Sequence, residues 1–263
     1  MRAIRCLSIA FVALLLAACA TTQTAPTAVR DALAPSGKLR IGVYADSPIS
    51  LLRDRSTGEA RGVAHDTGRE VARRLDVAFE VIEFPRVAEV LAALKTGVVD
   101  ITVTNATAVR AKDVDFTSPV LLLELGYLAP AGSRVSSIAE ADRPGIRIGV
   151  TQGSTSSSTL PRQLKNASIV PAPSMKQAME MLSQHEVDAF ATNKANLFEM
   201  ADGVPGSRVL AGNWGVEHLA IAIPKGRDRA MPWLEYFVAE AKHTGFIARA
   251  VEKAGLRGTT TTP

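Results

Sequence analysis

Apolar residues recur along the chain at two spacings, and stretches of each kind alternate. At 39–44 and 78–84 the apolar positions are continuous or alternate with polar ones, which is typical of strands. At 62–75 and 87–94 they return every three to four residues, which predicts amphipathic helices, the second of them ended by Gly97. Strands that alternate with helices predict an α/β protein with mostly parallel sheets covered by helices.

Two short motifs occur twice, in the same order. Arg-Ile-Gly-Val stands at 40–43 and again at 147–150, in a predicted strand each time. Val-Asp-x-x-x-Thr-Asn stands at 99–105 and at 187–193, each time after a helical stripe. Because both echoes occupy the same structural positions, we predict two sister α/β lobes. The aspartate of each second motif is expected to be structural, at the turn from helix to strand.

The first lobe is expected to be discontinuous in sequence. An apolar strand at 218–224 and the helical stretches after it supply elements that return to the first lobe. The chain then crosses between the lobes twice, near 121–127 and 213–217, which predicts a two-strand hinge around a central cleft. The expected boundaries are 38–124 plus 218–256 for the first lobe and 125–217 for the second.

The N-terminus has the pattern of an export signal, expected at 1–18. Arg2 and Arg5 precede an apolar run that is too short for a bilayer, which needs about 20 apolar residues. The run ends in Leu-Ala-Ala-Cys, which resembles the bacterial lipobox and implies cleavage before Cys19 and lipidation of its thiol. Ordinary cleavage after Ala20 is the alternative. Both readings place the protein in the periplasm or cell envelope, the first with a lipid anchor in a membrane.

Polar, low-complexity stretches flank the lobes. We predict a flexible tether at 19–37, with a short helical turn at 29–33, and a disordered tail at 257–263. A hydrophobic content of 47% and a charged content of 21% exclude general disorder. The net charge of +4 includes Arg2 and Arg5, so about +2 remains after cleavage (4 − 2), which indicates no nucleic-acid partner.

Cysteine and histidine are scarce. Cys6 lies in the export signal, so the mature chain keeps at most Cys19 and forms no internal disulfide. One cysteine and four scattered histidines do not make a metal cage. We therefore expect neither a metal nor a cofactor.

Polar segments follow the predicted strands where ligands collect in open parallel sheets, beyond the carboxyl ends. Both Thr-Asn pairs lie at such ends, as do 44–47 after the first strand and 151–155 after the strand at 146–150. Two lobes whose strand ends face each other place all four segments around one cleft.

In order and spacing, these segments resemble the extracellular solute-binding proteins of ABC importers, of the polar amino-acid type. The resemblance covers about 38–255 and rests on 39–43, 62–66, 91–100, 107–119, 148–155, 187–188 and 220–226. It implies a type II periplasmic-binding-protein fold, in which two lobes close over a small polar ligand. It also implies a partner, an ABC permease of the inner membrane, and we expect a monomer.

The resemblance assigns a ligand clamp to Arg110, which matches the arginine before Val-Asp-Phe-[Ser/Thr]-x-Pro. A guanidinium offers two parallel N–H donors to a carboxylate. The ammonium of a lysine cannot bind a carboxylate in this bidentate way. A surface ion pair with Asp113 or Asp115 is the alternative.

The resemblance implies further ligand contacts at the start of a helix and at the end of a strand. Gln152, Ser154 and Thr155 match the segment that opens the first helix of the second lobe, where backbone N–H groups and hydroxyls hold the same carboxylate. Asn105 matches a contact from the first lobe. The alternatives are ordinary helix caps and a loop amide.

The chain departs from the family pattern at Asn193, where relatives that bind α-amino acids place an aspartate for the ligand ammonium. An aromatic pair of those relatives is also missing at 47–51. The ligand is therefore expected to carry a carboxylate, and it either lacks a free amine or pairs it elsewhere, with Asp46 or Glu217. Asn193 could alternatively cap the helix that follows it.

The remaining candidates are Tyr44, Ser47 and Trp214. The two aromatic rings could stack on a ligand, or they could form the edge of a core. Ser47 follows the first strand and faces the same cleft in this interpretation.

The favoured function is a solute-binding component of an ABC importer, without catalysis, for an amino acid or related organic acid. One alternative is a periplasmic dehydratase of the same fold, acting on a cyclic carboxylate such as arogenate or prephenate. Its acid and base would come from Glu217, His218 and His65, although the sequence shows no nucleophile–base pair. A sensor lipoprotein of the same fold is the other alternative.

Overall fold

The computed structural model describes residues 25–54 and 56–260. The predicted signal peptide and Cys19 lie outside the described residues. The strands are β1 Lys38–Tyr44, β2 Leu52–Arg53, β3 Ala60–Arg61, β4 Ala78–Phe84, β5 Thr102–Asn105, β6 Val114–Ala129, β7 Arg147–Thr151, β8 Ser168–Ala172, β9 Ala189–Asn193, β10 Arg208–Val209, β11 Gly215–Pro224 and β12 Thr259–Thr260. The helices are α1 Thr27–Leu33, α2 Val63–Leu75, α3 Val87–Lys95, α4 Thr155–Gln163, α5 Met175–Ser183, α6 Lys194–Gly203, α7 Met231–His243 and α8 Phe246–Lys253.

The two lobes repeat one sheet topology. In the first lobe the order is β4-β1-β5-β11, with β4 and β1 parallel, β1 joined to β5 by a parallel bridge, and β11 antiparallel to β5. In the second lobe the order is β8-β7-β9-β6, again with parallel pairs and an antiparallel fourth strand. The prediction of two sister α/β lobes is confirmed. Each sheet is mixed, because the strand that closes it also crosses to the other lobe.

The crossing strands β6 and β11 pair antiparallel and form the hinge. β11 bonds to β5 at Leu219–Ala222 and to β6 along most of its length. β6 then pairs with β9 in the second lobe, from Leu125 to Leu128. The predicted boundaries between residues 124 and 125 and between 217 and 218 therefore fall inside these two strands.

The repeated motifs bond to each other in both lobes. Asp100 accepts hydrogen bonds from the backbone N of Arg40 at 3.0 Å and from its Nε at 2.8 Å. Asp188 accepts the same two bonds from Arg147, at 2.8 and 3.1 Å. Both aspartates are buried. The structural role predicted for them is confirmed, and their partner is the arginine of the neighbouring strand.

The predicted tether and tail are partly ordered. Within the described residues, 27–33 form α1, whose Val29 and Leu33 are buried in the core of the first lobe. Thr259 and Thr260 form β12, which pairs with β6. The tether at 19–37 and the tail at 257–263 were therefore predicted too long. The helical turn predicted at 29–33 is confirmed as the second half of α1.

In the part of the chain that the structure describes, no helix is long and apolar enough to cross a membrane. The same part contains no group of three or more His, Cys, Asp or Glu residues that could hold a metal ion.

Candidate ligand-binding cleft

A small cavity of ≈ 40 Å³ lies between the lobes, at the carboxyl ends of their parallel strands. Both lobes and the hinge contribute to its wall. It is lined by Tyr44, Ile49, Pro85, Arg86, Val87, Val103, Thr104, Asn105, Arg110, Thr151, Ser154, Thr155, Met175, Thr192, Asn193, Asn196, Glu217 and Leu219.

Seven of the ten predicted site residues line this cavity: Tyr44, Asn105, Arg110, Ser154, Thr155, Asn193 and Glu217. They come from segments far apart in sequence. The strand-end rule brings them together, because each follows a parallel strand or lies on the hinge.

Three predicted residues lie outside the cavity wall. Gln152 is half-buried in the turn after β7, where its backbone N donates to Ala172 O at 3.0 Å. Trp214 packs on Tyr127 in the core of the second lobe, and its Nε1 donates to Gly126 O at 3.0 Å. The ring of Trp214 therefore lies at the edge of a hydrophobic core, which is the alternative to stacking on a ligand. Ser47 is buried behind the wall.

The guanidinium of Arg110 lies in the cavity wall without an acidic partner. Its Nη1 donates to Thr104 Oγ1 at 2.9 Å and to Asn105 O at 3.1 Å, and both bonds help to hold it in place. Asp113 pairs with Lys95 and Asp115 with Lys225, so the alternative of a surface ion pair is wrong. Among the described residues Arg110 forms no salt bridge. Removal of water from around the guanidinium lowers the pKa of Arg110, and Glu217 and Tyr44 partly oppose this shift.

The N-terminus of α4 forms the opposite wall. Ser154 is the N-cap of this helix, and its side chain accepts a hydrogen bond from Ser157 N at 3.1 Å. Thr155 Oγ1 accepts from Asn105 Nδ2 at 3.0 Å. Ser154 is thus both a helix cap and a cavity residue. The first N–H groups of a helix carry partial positive charge, so this wall favours an anion.

Asn193 has two roles in the wall. Its Oδ1 accepts from Asn196 N at 3.1 Å, which makes it the N-cap of α6. Its Nδ2 donates to Glu217 Oε2 at 2.9 Å. Tyr44 also lines the cavity, and burial raises the pKa of its phenol, which therefore stays neutral. The wall thus combines a fixed amide, a neutral phenol and the acid Glu217.

The residues considered for catalysis are dispersed. His65 is buried beside Asp66, with its Nδ1 at 2.9 Å from Asp66 Oδ1, and its ring meets the edge of Phe79. The side chain of His218 is exposed, and only its backbone N contacts the site, through Asn105 Oδ1 at 2.8 Å. Neither histidine lines the cavity.

The sequence analysis missed Arg86 and Asn196. Arg86 follows β4, and its Nη1 crosses the cleft to donate to Pro173 O at 3.1 Å. Asn196 lies in the first turn of α6, and its Oδ1 accepts from Ser47 Oγ at 2.8 Å. The strand-end rule, applied to β4 as well, would have found Arg86. Helical spacing from Asn193 would have found Asn196.

Direct hydrogen bonds across the cleft hold the lobes closed. Besides the Asn105–Thr155, Arg86–Pro173 and Ser47–Asn196 bonds, Arg110 Nη2 donates to Gly153 O at 3.2 Å. A Cβ on Gly153 would lie only 2.4 Å from Ala88 Cβ of the first lobe. The glycine therefore permits the close approach of α3 to the turn before α4.

Two sister α/β lobes that close over a buried polar cavity define a class of proteins that capture a small solute between their lobes. The chain belongs to the bacterial extracellular solute-binding proteins, family 3, which it matches over residues 39–256. It is an extracytoplasmic solute-binding protein.

Individual relatives agree with this assignment. The chain is 26% identical over 229 residues to the ABC transporter glutamine-binding protein GlnH of Bacillus subtilis (strain 168), covering 83% of this chain and 84% of GlnH. Its fold is similar to a solute receptor for L-cysteine of Neisseria gonorrhoeae, with a TM-score of 0.76, 24% identity, and coverage of 86% and 92%. It is also similar to the ancestral amino acid-binding protein AncCDT-1, a precursor of cyclohexadienyl dehydratase, with a TM-score of 0.74, 23% identity, and coverage of 85% and 98%.

Replacing Gly153 with alanine is expected to keep the lobes apart, because the new methyl group meets Ala88 across the cleft. Gly145→Ala is the matched control: its φ of +77° is as strained for alanine as the +72° of Gly153, but nothing lies within 4 Å of its Cβ position. Small-angle X-ray scattering should give a larger radius of gyration for Gly153→Ala than for the wild type and the control. Equal radii for all three proteins would contradict this role of Gly153.

Proposed function

We propose that the protein is the solute-binding component of an ABC importer and closes its lobes over a small ligand that carries a carboxylate. The ligand class is an amino acid or a related organic acid. Membership of the solute-binding family and similarity to GlnH, which is named as a glutamine-binding protein of an ABC transporter, support the transport role. The ligand class is supported by the cavity.

The observation that carries the proposal is the position of Arg110. Its guanidinium lines the cavity between the lobes, forms no salt bridge with any described residue, and donates to Gly153 O just before α4. A partly buried guanidinium without an acidic partner favours a bound anion. A carboxylate matches the planar fork of arginine and also accepts from N–H groups at a helix start.

The rest of the wall favours a compact ligand with few ring contacts. Aliphatic and thioether side chains of Ile49, Val103, Met175 and Leu219 form the apolar part. Ile49 lies in the segment where relatives place aromatic residues. The ligand side chain would therefore pack against branched aliphatic groups and would not stack between rings.

Binding without catalysis is favoured over the dehydratase alternative. That reaction needs an acid and a base at the substrate. His65 and His218 both lie away from the cavity, which leaves Glu217 as the one carboxylate in the described wall. AncCDT-1 is itself named an amino acid-binding protein, and its similarity concerns the fold.

We further propose that a lipid on Cys19 anchors the protein, as a monomer, to a membrane beside an ABC permease of the inner membrane. The lipobox-like Leu-Ala-Ala-Cys supports the anchor. Helix α1 begins at Thr27 and packs on the core of the first lobe, so only a few residues separate this lobe from Cys19. The tether is accordingly shorter than the sequence analysis expects.

Arg110→Ala is expected to weaken carboxylate binding about tenfold to a hundredfold, because a hydrogen bond to a charged group contributes about 1.5–3 kcal/mol. Arg110→Lys should bind with intermediate affinity, since lysine keeps the positive charge but lacks the two parallel N–H donors of the guanidinium. A thermal-shift screen of the twenty L-amino acids and small carboxylates selects the probe, and calorimetry measures its affinity. Arg162→Ala, on the exposed side of α4, is the control and should match the wild type. Unchanged affinity in Arg110→Ala would exclude the proposed clamp.

Cys19→Ser is expected to abolish lipidation and release the protein from membranes, because serine has no thiol to acylate. Metabolic labelling with tritiated palmitate and fractionation of expressing cells measure both effects. Cys6→Ser, the other cysteine, is the control and should keep the label. A wild-type protein that stays unlabelled and soluble would instead support cleavage after Ala20.

A further inference from the structure

The chain reaches from the first lobe to the second a third time, at its C-terminal end. Leu256, just after α8, is buried in the core of the first lobe. The next residue, Arg257, contacts α6 of the second lobe, and β12 then pairs with the hinge strand β6. Residues 257–260, the C-terminal strap, therefore connect both lobes with the hinge. None of these four residues lines the ligand cavity.

Arg257 binds the second lobe through two contacts. Its Nη1 donates to Asp202 Oδ1 at 3.4 Å, and its Nη2 donates to the other oxygen of the same carboxylate. The central carbon of its guanidinium lies 5.0 Å from the centroid of the Phe198 ring, which is a cation–π contact. Phe198 and Asp202 lie four residues apart on α6 and so share one face of this helix. Because Leu256 belongs to the first lobe, these contacts tie the two lobes together outside the cavity.

Gly258 lets the strap lie directly against the start of α6. Its φ is +78°, and a Cβ on it would lie 2.4 Å from the Cβ of Lys194, the first residue of α6. Its O accepts a hydrogen bond from Glu124 N on β6 at 3.4 Å. The side chains of Lys194 and Glu124 form a salt bridge with each other. The strap, the hinge strand and the second lobe thus pack together at this glycine.

The strap makes the hinge three-stranded over a short stretch. Leu122 and Leu123 of β6 pair with β11 on one edge and with β12 on the other. From Leu125 onward, β9 of the second lobe takes the place of β12. Opening the cleft rotates the second lobe, with β9 and α6, relative to the core that holds Leu256. Such a rotation changes the position of α6 relative to the strap, so it disturbs the contacts of Arg257.

We infer that the C-terminal strap stabilises the closed conformation of the lobes and thereby raises the affinity of the cavity for its ligand. Arg257 is then a positioning residue, which acts on the ligand through the position of α6 and does not touch it. An interaction made only in the closed conformation shifts the equilibrium between open and closed lobes, and the binding affinity follows the closed population. The inference requires a cleft that closes over a ligand, whatever the class of that ligand.

The first test removes the strap. A chain truncated after Leu256 lacks 257–263, whereas its control, truncated after Thr260, keeps the strap. Small-angle X-ray scattering without ligand should give a larger radius of gyration for the shorter chain, because its lobes open more often. Calorimetry uses as its probe the one of the twenty L-amino acids that stabilises the wild type most in a thermal-shift screen. The shorter chain should bind this probe about threefold to thirtyfold more weakly than the control, the combined effect of an exposed ion pair and a cation–π contact.

Two substitutions test the same contacts in a chain of full length. Arg257→Ala removes the bonds to α6, and its control is Arg249→Ala, whose guanidinium donates to a backbone oxygen of its own lobe. Gly258→Ala places a methyl group against Lys194. Its control is Gly255→Ala, where φ is also positive, at +64°, but nothing lies within 4 Å of the Cβ position. Arg257→Ala and Gly258→Ala should show the larger radius and the weaker binding, and both controls should keep the wild-type radius and affinity.

A segment that only adds stability to the fold would lower the melting temperature and leave the radius and the affinity unchanged. Circular dichroism reports folding, and the two substitutions decide if the shorter chain unfolds. A strapless chain with the radius of its control, or with an affinity equal to or higher than that of its control, would overturn the inference. The scattering requires no ligand, so it decides the inference separately from the ligand class of the proposed function.

Discussion

Two side chains of opposite charge, Arg110 and Glu217, line the cavity between the lobes without a direct bond to each other. Each is held by neutral groups, Arg110 by Thr104 and the backbone of Asn105, and Glu217 by Asn193. Because Arg110 has no acidic partner among the described residues, the site gains from a ligand whose carboxylate pairs with its guanidinium. The lobes, the hinge and the glycine at the cleft all serve to bring these charges to the same cavity.

The duplicated fold explains how distant segments meet there. In each lobe a strand arginine bonds to the aspartate before the next strand, which fixes neighbouring strands and so aligns their carboxyl ends. Arg110 follows β5 of the first lobe and α4 follows β7 of the second, so closure brings the guanidinium to the helix start. Glu217 belongs to neither parallel set, since it lies on the hinge strand. A hinge position lets its carboxylate line a cavity that both lobes enclose.

Periodicity and the repeated motifs were enough to predict two sister lobes, the hinge and most of the cavity wall. They failed where side-chain direction depends on local backbone geometry. Ser154 faces the cavity and Gln152, two residues earlier, does not, because a turn with Gly153 at φ +72° lies between them. Trp214 precedes the hinge strand, yet its ring belongs to the core of the second lobe. The bond between Asn193 and Glu217 joins residues 24 apart on β9 and β11, two strands that both pair with β6, and no sequence pattern encodes it.

A crystal structure of the protein with the ligand that stabilises it most would test the role of Arg110 directly. The account predicts the ligand carboxylate within hydrogen-bond distance of the Arg110 guanidinium and the first N–H groups of α4. A carboxylate bound away from Arg110 would contradict it.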